Sequence, residues 1–338
     1  MNPNKSSDRI AVIDAPNIPG LSFRRFRGES DYQAMVEVLN ACKEEDRLER
    51  AFTVDGIAYY VTNLANSNPH EDFIFAEIEG KLIAYGSADW HQESTGTWVF
   101  DLNGWVIPSW RRRGIGRAIL HWQEQRMREV ASQIDDDNPR TFHGWASEVK
   151  IAKKALLTSE GYEAHSYIVD MVRPTLNDLP NVELPEGIEV KSVKPKHYRL
   201  IFDAGNEAMR DHIGYSEPTE EDFKQFKDNP HLDTSLWRVA WEDDKVVGMV
   251  RSYINEAENE EYGRKRTYIN HVSVRRPWRR KGIARVLLVK VLQAIKERNM
   301  KEAALDVHTD NPNQALRLYE SVGFEVVEMF AWYRKPMT

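Results

Sequence analysis

Cysteine and long apolar runs are what this sequence has least of. Cys42 is the single cysteine among 338 residues, so the chain cannot form an intrachain disulfide or a cysteine-rich zinc site. We expect Cys42 to be a small buried residue in a protein of the reducing cytoplasm. No apolar run is long enough to cross a bilayer, so the sequence does not predict a membrane protein.

An excess of positive charge is also missing. The chain has 46 Lys and Arg residues against 53 Asp and Glu residues, and its formal net charge is −7. This balance disfavours a nucleic-acid or membrane partner bound over the whole surface, because both are polyanions. No run of metal ligands has the spacing of a known site, so we predict no metal. Recognition of an anion should therefore be local.

The length predicts two domains, each large enough to bury a core. A stretch with three prolines and no helical periodicity, 174–187, is typical of a linker. We therefore predict a flexible N-terminus over 1–20, a first domain over 21–173 and a second domain over 188–338.

Both halves repeat one order of elements: a strand, a helix, a hairpin, a further strand, a basic loop and a second helix. In the first half we predict a strand over 21–26, a helix capped at Ser30-Asp31, a hairpin over 73–87, a strand over 98–107 and a basic loop over 111–116. In the second half we predict a strand over 188–193, a helix over 198–209, a hairpin over 237–253, a strand from Tyr268 and a basic loop over 279–284. This pattern predicts an α/β fold with a mixed, mostly antiparallel central sheet flanked by helices.

The two basic loops indicate phosphate binding. In 279–284 the small residues Gly282 and Ala284 would let an extended anion approach the amides that begin a helix. A single loop of this kind could equally be a solvated turn. Its recurrence at 111–116, in the matching place of the first half, favours the pyrophosphate interpretation.

The paired loops, together with the segment 311–324, resemble the motifs of the GNAT (Gcn5-related N-acetyltransferase) superfamily. The resemblance covers both halves and implies an enzyme that moves acetyl from acetyl-CoA to a primary amine of a small molecule by direct attack in a ternary complex. It also implies a CoA site in the second half. The implied residues are Val272, Ser273 and Val274 through their backbone, the loop Arg279, Arg280, Lys281, Gly282, Ile283 and Ala284 with Arg285, and Asn311, Asn313 and Tyr319. An optional second site would use Val106, Arg111, Arg112, Arg113, Gly114, Ile115, Gly116 and Arg117.

Tyr319 matches the tyrosine that donates a proton to the leaving thiolate in the family. Counting back from Gly161 places Leu157 at the equivalent position of the first half, and leucine cannot donate a proton. We therefore predict catalysis in the second domain. The first domain would be structural, would shape the acceptor site or would hold a second, non-reacting CoA.

The general base is less well defined. Many relatives have a glutamate where this chain has Tyr268, and where the first half has Phe100. Other candidates are Glu207, Asp211 and His212, while Asn270 could orient a water. By alternation along the strand His271 should point away from Tyr268 and be structural.

The missing strand carboxylate keeps a second hypothesis open, in which the chain is a non-catalytic acyl-CoA-binding sensor or scaffold. For either function we expect a cytoplasmic monomer or homodimer.

Overall fold

The computed structural model describes residues 8–64, 66–147, 149–212, 214–229, 232–310 and 314–338. The chain forms two compact units. One comprises Met1–Ser166 with Phe330–Thr338, and the other Tyr167–Met329. Asn311 and Asn313 lie outside the described residues.

The first unit contains a sheet flanked by helices. Its strands are β1 (Arg9–Ile10), β2 (Leu21–Arg24), β3 (Phe73–Ile78), β4 (Lys81–Gln92), β5 (Trp98–Val106), β6 (Arg140–Ser147) and the end of β13 (Glu325–Pro336). Neighbours pair in that order, antiparallel except for the parallel pair of β5 and β6. Its helices are α1 (Tyr32–Cys42), α2 (Val54–Thr62), α3 (Pro69–Asp72), α4 (Ile115–Ala131) and α5 (Ile151–Ser159).

The second unit repeats this architecture. Its strands are β7 (Glu163–Arg173), β8 (Glu189–Lys191), β9 (Arg238–Glu242), β10 (Lys245–Ile254), β11 (Arg266–Val274) and β12 (Glu302–His308), in the order β7-β12-β11-β10-β9-β8. Only β11 and β12 pair in parallel among these neighbours of the described sheet. Its helices are α6 (Tyr198–Met209), α7 (Glu220–Asp228), α8 (Glu256–Glu261), α9 (Ile283–Glu297) and α10 (Ala315–Glu320). The predicted mixed α/β fold is confirmed.

Local sequence signals account for most of these elements. The predicted hairpin turn has left-handed φ angles of 51° at Glu79 and 83° at Gly80, as a two-residue turn between twisted strands requires.

The prediction that Ser30-Asp31 caps the first helix through a side-chain hydrogen bond was wrong. The side chain of Asp31 makes no cap hydrogen bond and instead accepts two from the buried guanidinium of Arg24.

The last strand of each sequence repeat pairs in the unit formed mainly by the other repeat. From the first repeat, β7 pairs antiparallel with β12. From the second, Phe330–Pro336 of β13 pairs antiparallel with β6. The compact units therefore differ from the sequence ranges 21–173 and 188–338 at these two strands, and the second unit also includes the predicted linker 174–187, whose Leu176 is buried in its core.

The cores are apolar faces of helices packed on the sheets. The helical spacing of Ala284, Leu287, Leu288, Val291, Leu292 and Ile295 predicts a buried helix face. In α9 the last five are fully buried and Ala284 is partly buried. Cys42 is buried too, as predicted, and burial raises the pKa of its thiol. Along the described part of the chain, no helix is both long and apolar enough to span a bilayer.

Candidate active site

The second unit contains a cleft where two parallel strands separate. Strands β11 and β12 pair over Arg266–Tyr268 and Glu302–Ala304, and both continue past that point. Beyond it a cleft of about 530 Å³ lies between them. The predicted backbone contacts Val272, Ser273 and Val274 line one wall, and Asp306, Val307 and His308 line the other.

The loop at the mouth of this cleft has the backbone geometry of an anion site. Arg280 and Gly282 have left-handed φ angles of 64° and 81°, a pattern that turns successive amides toward one side. Gly282 directly precedes α9, whose first amides have no partner within the helix. A Cβ atom built on Gly282 would meet no heavy atom within 4 Å, so the approach is open.

The loop side chains divide into two groups. Arg279 holds the loop in place: its Nε donates to the Val274 carbonyl at 2.9 Å and its Nη1 to Asp211 at 2.7 Å. Its guanidinium is therefore bound within the protein. Arg280 and Arg285 are exposed and line the cleft, whereas Lys281 is exposed beside it. These three side chains are the cations that could reach phosphate groups.

Tyr319 lies on the opposite side of the cleft, on α10. Its side chain is buried, contacts Phe324 edge to face at 6.0 Å between ring centroids, and still lines the cleft. Burial, together with the charge of Asp306, raises the pKa of Tyr319 well above its ordinary value. The hydroxyl therefore keeps its proton at neutral pH and can donate it.

The acidic candidates for the base are held in ion pairs. Glu207 lies 2.7 Å from Arg275, and Asp211 binds both Arg276 and Arg279. Hydrogen bonds from Arg276 and Arg279 hold the pKa of Asp211 well below its ordinary value. Neither carboxylate lines the cleft, so their contacts indicate a structural role.

A β-bulge overturns the alternation argument for His271. In the ladder between β10 and β11, Arg251 faces His271 but Ser252 faces Ile269, so Asn270 is an extra residue. As a result Asn270 and His271 both line the cleft. Tyr268 lies outside it and donates a 2.6 Å hydrogen bond to Glu258.

Three histidines line the cleft: His212 after α6, His271 on β11 and His308 on β12. Burial lowers the pKa of each, most strongly that of His271, so all three are neutral at pH 7. Nε2 of His271 lies 2.9 Å from the Ser273 hydroxyl. His308 lies outside the basic loop and the segment 311–324, so no sequence motif pointed to it. In the described part of the chain no group of side chains has the arrangement of a metal site.

The matching gap in the first unit is filled by aromatic rings. Strands β5 and β6 pair only over Trp98–Asp101 and Arg140–His143. By ladder register, Trp105 and Trp145 occupy the places of Ser273 and Val307. Their rings meet edge to face at 6.3 Å, and the Lys150 ammonium lies over both.

The approach to the basic loop of the first unit is restricted by Pro16. Gly114 has a φ of 88°, like Gly282, but a Cβ atom built on it would lie 3.3 Å from Pro16. Residues 8–20, predicted to be flexible, pack here through apolar side chains including Ile10, Val12 and Ile18. Arg111 is paired with Asp46, and Arg117 with Glu160. The optional second site therefore has the predicted backbone and two exposed cations, Arg112 and Arg113, but Pro16 restricts the approach to Gly114 and Arg117 is held by Glu160.

Comparisons with known proteins agree with this geometry. The model of the acetyltransferase (GNAT) family matches residues 32–143 and again 201–324. The chain belongs to the GNAT family. Two consecutive GNAT domains, in an arrangement like that of mycothiol synthase, are thereby confirmed, and so is the assignment as an acyltransferase.

Several known proteins are similar to this GNAT chain over most of its length. It is 27% identical to a mycothiol acetyltransferase of Thermomonospora curvata over 233 residues, which is 68% of this chain and 72% of the relative. A GCN5-related N-acetyltransferase from Sphaerobacter thermophilus has a similar fold, with a TM-score of 0.74, 24% identity and coverage of 95% and 96% of the two chains. A tandem GNAT protein from the clavulanic acid biosynthesis pathway has a TM-score of 0.68 at 14% identity, covering 94% and 99%.

Proposed function

We propose that this GNAT chain is an acetyl-CoA-dependent N-acetyltransferase that acetylates a primary amine of a small molecule, and that its second unit is the catalytic one. The observation that carries the proposal is that the open loop at Gly282, the unpaired stretch of β11 and Tyr319 all border one cleft. In the first unit Trp105 and Trp145 occupy the corresponding cleft, and Pro16 restricts the approach to the loop. We propose that this unit is structural.

The residues present fit acetyl-CoA. The amides at Gly282 and Ile283, with Arg280, Lys281 and Arg285, would hold the pyrophosphate at the start of α9. The backbone of Val272–Val274 would contact the pantetheine, and an amide there would stabilise negative charge developing on the thioester oxygen. Acetyl-CoA supplies an activated acyl group, so the chain needs only to orient it and move protons.

Two side chains would move those protons. We assign His271 as the acceptor of the proton that the attacking amine loses, because it is neutral and lines the cleft beside the bulge. Tyr319 would donate its proton to the sulfur as the carbon–sulfur bond breaks. The new bond joins the amine nitrogen to the acetyl carbon, and the free thiol leaves.

Thiol release from acetyl-CoA over a panel of primary amines tests this proposal. We expect Tyr319→Phe to lower kcat by about 10²-fold, since general acid catalysis contributes on that scale. CoA affinity, measured by calorimetry, should stay near the wild-type value. Tyr60→Phe, which removes a hydroxyl hydrogen-bonded to Ser87 in the first unit, should leave kcat unchanged.

The competing function is a sensor or scaffold that binds acyl-CoA without turnover. Tight CoA binding with no amine-stimulated thiol release would favour it and would overturn the enzyme proposal. The cytoplasmic location and the oligomeric state stay predictions.

A further inference from the structure

Arg251 on β10 is a partly buried cation that forms no ion pair with a carboxylate in the described structure. Its Nε atom is buried and has no hydrogen-bond partner among the described residues. Its guanidinium lies against a pair of neighbouring aromatic rings, with Cζ 5.8 Å from the ring centroid of Phe226 and 5.4 Å from that of Trp237. Burial lowers the pKa of Arg251 to about 10, so it remains charged at pH 7.

This arrangement is unusual within the same chain. Several other arginines that are largely removed from water bind carboxylates: Arg24 binds Asp31, Arg111 binds Asp46, Arg266 binds Glu302 and Arg279 binds Asp211. Arg173 and Arg238 instead donate to backbone carbonyls. In the described structure no carboxylate forms an ion pair with Arg251. A desolvated cation is costly unless a negative group compensates it. A ligand could supply that group.

Arg251 lies beside the wall of the cleft. It is the ladder partner of His271, and facing residues of antiparallel strands have Cβ atoms about 5 Å apart on the same side of the sheet. Gly205 of α6 packs over this face, because a Cβ atom there would lie 3.3 Å from Nε2 of His271. The guanidinium and the assigned proton acceptor thus share one face, between the sheet and the two helices α6 and α7.

We propose that Arg251 is a specificity residue that binds an acidic group of the acceptor, so that the substrate class is small amines that carry an anion. This inference rests on the proposed acetyl transfer. An amine near His271 and an anion at Arg251 would be separated by a short spacer, as in amino acids. A carboxylate or a phosphate would satisfy the guanidinium by the same paired hydrogen bonds.

Matched acceptors test the proposal. The panel is glycine, β-alanine and γ-aminobutyrate with their carboxamides, and O-phosphoethanolamine with ethanolamine. For the best pair in the wild type, we expect kcat/KM for the acid to exceed that for its neutral partner by about 10- to 100-fold, the scale of a hydrogen-bonded charge pair. Comparison of the carboxylate acceptors with the phosphate acceptor shows which acidic group is preferred.

Substitutions of Arg251 test whether this residue causes the preference for acidic acceptors. Arg251→Met, of similar length but neutral, should reduce the acid-to-neutral ratio to below about threefold, and Arg251→Lys should restore part of it. Arg238→Met is the matched control. Arg238 is a partly buried arginine on the neighbouring strand that binds backbone carbonyls, and its loss should keep the wild-type ratio. Thermal melting verifies that each variant is folded.

Binding measurements on the N-acetylated products can test the anion site at Arg251 independently of the proposed acetyl transfer. Calorimetry with CoA-saturated protein compares each N-acetylated acid with its N-acetylated amide or alcohol. Tighter binding of the acids, lost in Arg251→Met, would support the anion site even if no amine were turned over. Turnover of amines with equal kcat/KM for acids and neutral partners, and equal binding of both, would overturn the anion site while the enzyme proposal stood.

Discussion

Arg279 donates a 2.7 Å hydrogen bond to Asp211, and Arg111 makes the same contact to Asp46 in the first repeat. Each arginine also donates to the carbonyl of the residue that ends the preceding strand, Val274 or Val106. The first arginine of each basic loop is therefore a clamp between that strand and the end of the first helix.

Breaking the second clamp should destabilise the second unit. We expect Arg279→Met and Asp211→Asn each to lower the free energy of unfolding by about 1–2 kcal/mol, because both side chains are only one-fifth exposed and the partner loses its counter-charge. Urea denaturation measures this. The control is Arg276→Met, which removes a 70% exposed guanidinium from the same carboxylate and should have a much smaller effect.

The pH dependence of this effect follows from the lowered pKa of Asp211. The stabilisation is fully present above the ordinary carboxyl pKa of 3.8 and is lost as the pH falls below it through the folded-state pKa. The difference between wild type and Asp211→Asn should therefore be constant from pH 7 to pH 5 and shrink in stronger acid. A difference that disappeared near pH 6 would assign the stabilisation to another group.

The two glycines that precede α4 and α9 should respond differently to substitution. Gly282→Glu and Gly114→Glu both place a side chain at a left-handed φ, which costs about 1 kcal/mol in each case. Only Gly282→Glu also projects a carboxylate into an open approach, so we expect it to weaken CoA binding by at least about tenfold. Calorimetric titration compares the two. Equal loss of affinity in both variants would show that the first loop binds CoA as well.

His271 should make the folded state less stable in mild acid. Its folded pKa is below the ordinary value of 6.5, so between the two values the unfolded chain binds more protons. The stabilisation is therefore complete above pH 6.5 and is lost as the pH falls below it. His271→Gln should flatten this part of the stability curve, measured by chemical denaturation from pH 8 to pH 5.

His121 provides a control of opposite sign. Although burial opposes protonation, hydrogen bonds to Glu160 and Asp14 raise the pKa of His121. Its stabilisation is present below pH 6.5 and is lost as the pH rises through the folded pKa. His121→Gln should change the alkaline side of the curve and leave the acid side, and identical profiles for the two variants would contradict both assignments.

The exchanged strand β13 should be required by the first unit. Deletion of 330–338 removes seven ladder pairs with β6 and the buried side chain of Tyr333, whose loss alone costs about 3 kcal/mol. We expect faster hydrogen exchange in β6 and a lower melting temperature. Deletion of Thr338 alone is the control. Unchanged protection of β6 after the longer deletion would show that this pairing contributes little.

Much of the fold was predictable because it depends on local chemistry. Residues close in sequence were enough to predict three features. These are the buried face of α9, the glycine of each basic loop and the turn at Glu79-Gly80. The paired loops with Tyr319 pointed to the family in the same way, and helix α6 was predicted over the residues it occupies.

The sequence by itself determined the α/β class, the duplication and which repeat retains Tyr319. Tertiary structure decided the rest, because the deciding contacts join residues far apart in the chain. Pairing across strands created the bulge that brings His271 to the cleft. Pro16, Trp105 and Trp145 close the first cleft through packing that no local pattern encodes. The same long-range packing places Arg251 against the rings of Phe226 and Trp237, with no carboxylate paired to it in the described structure.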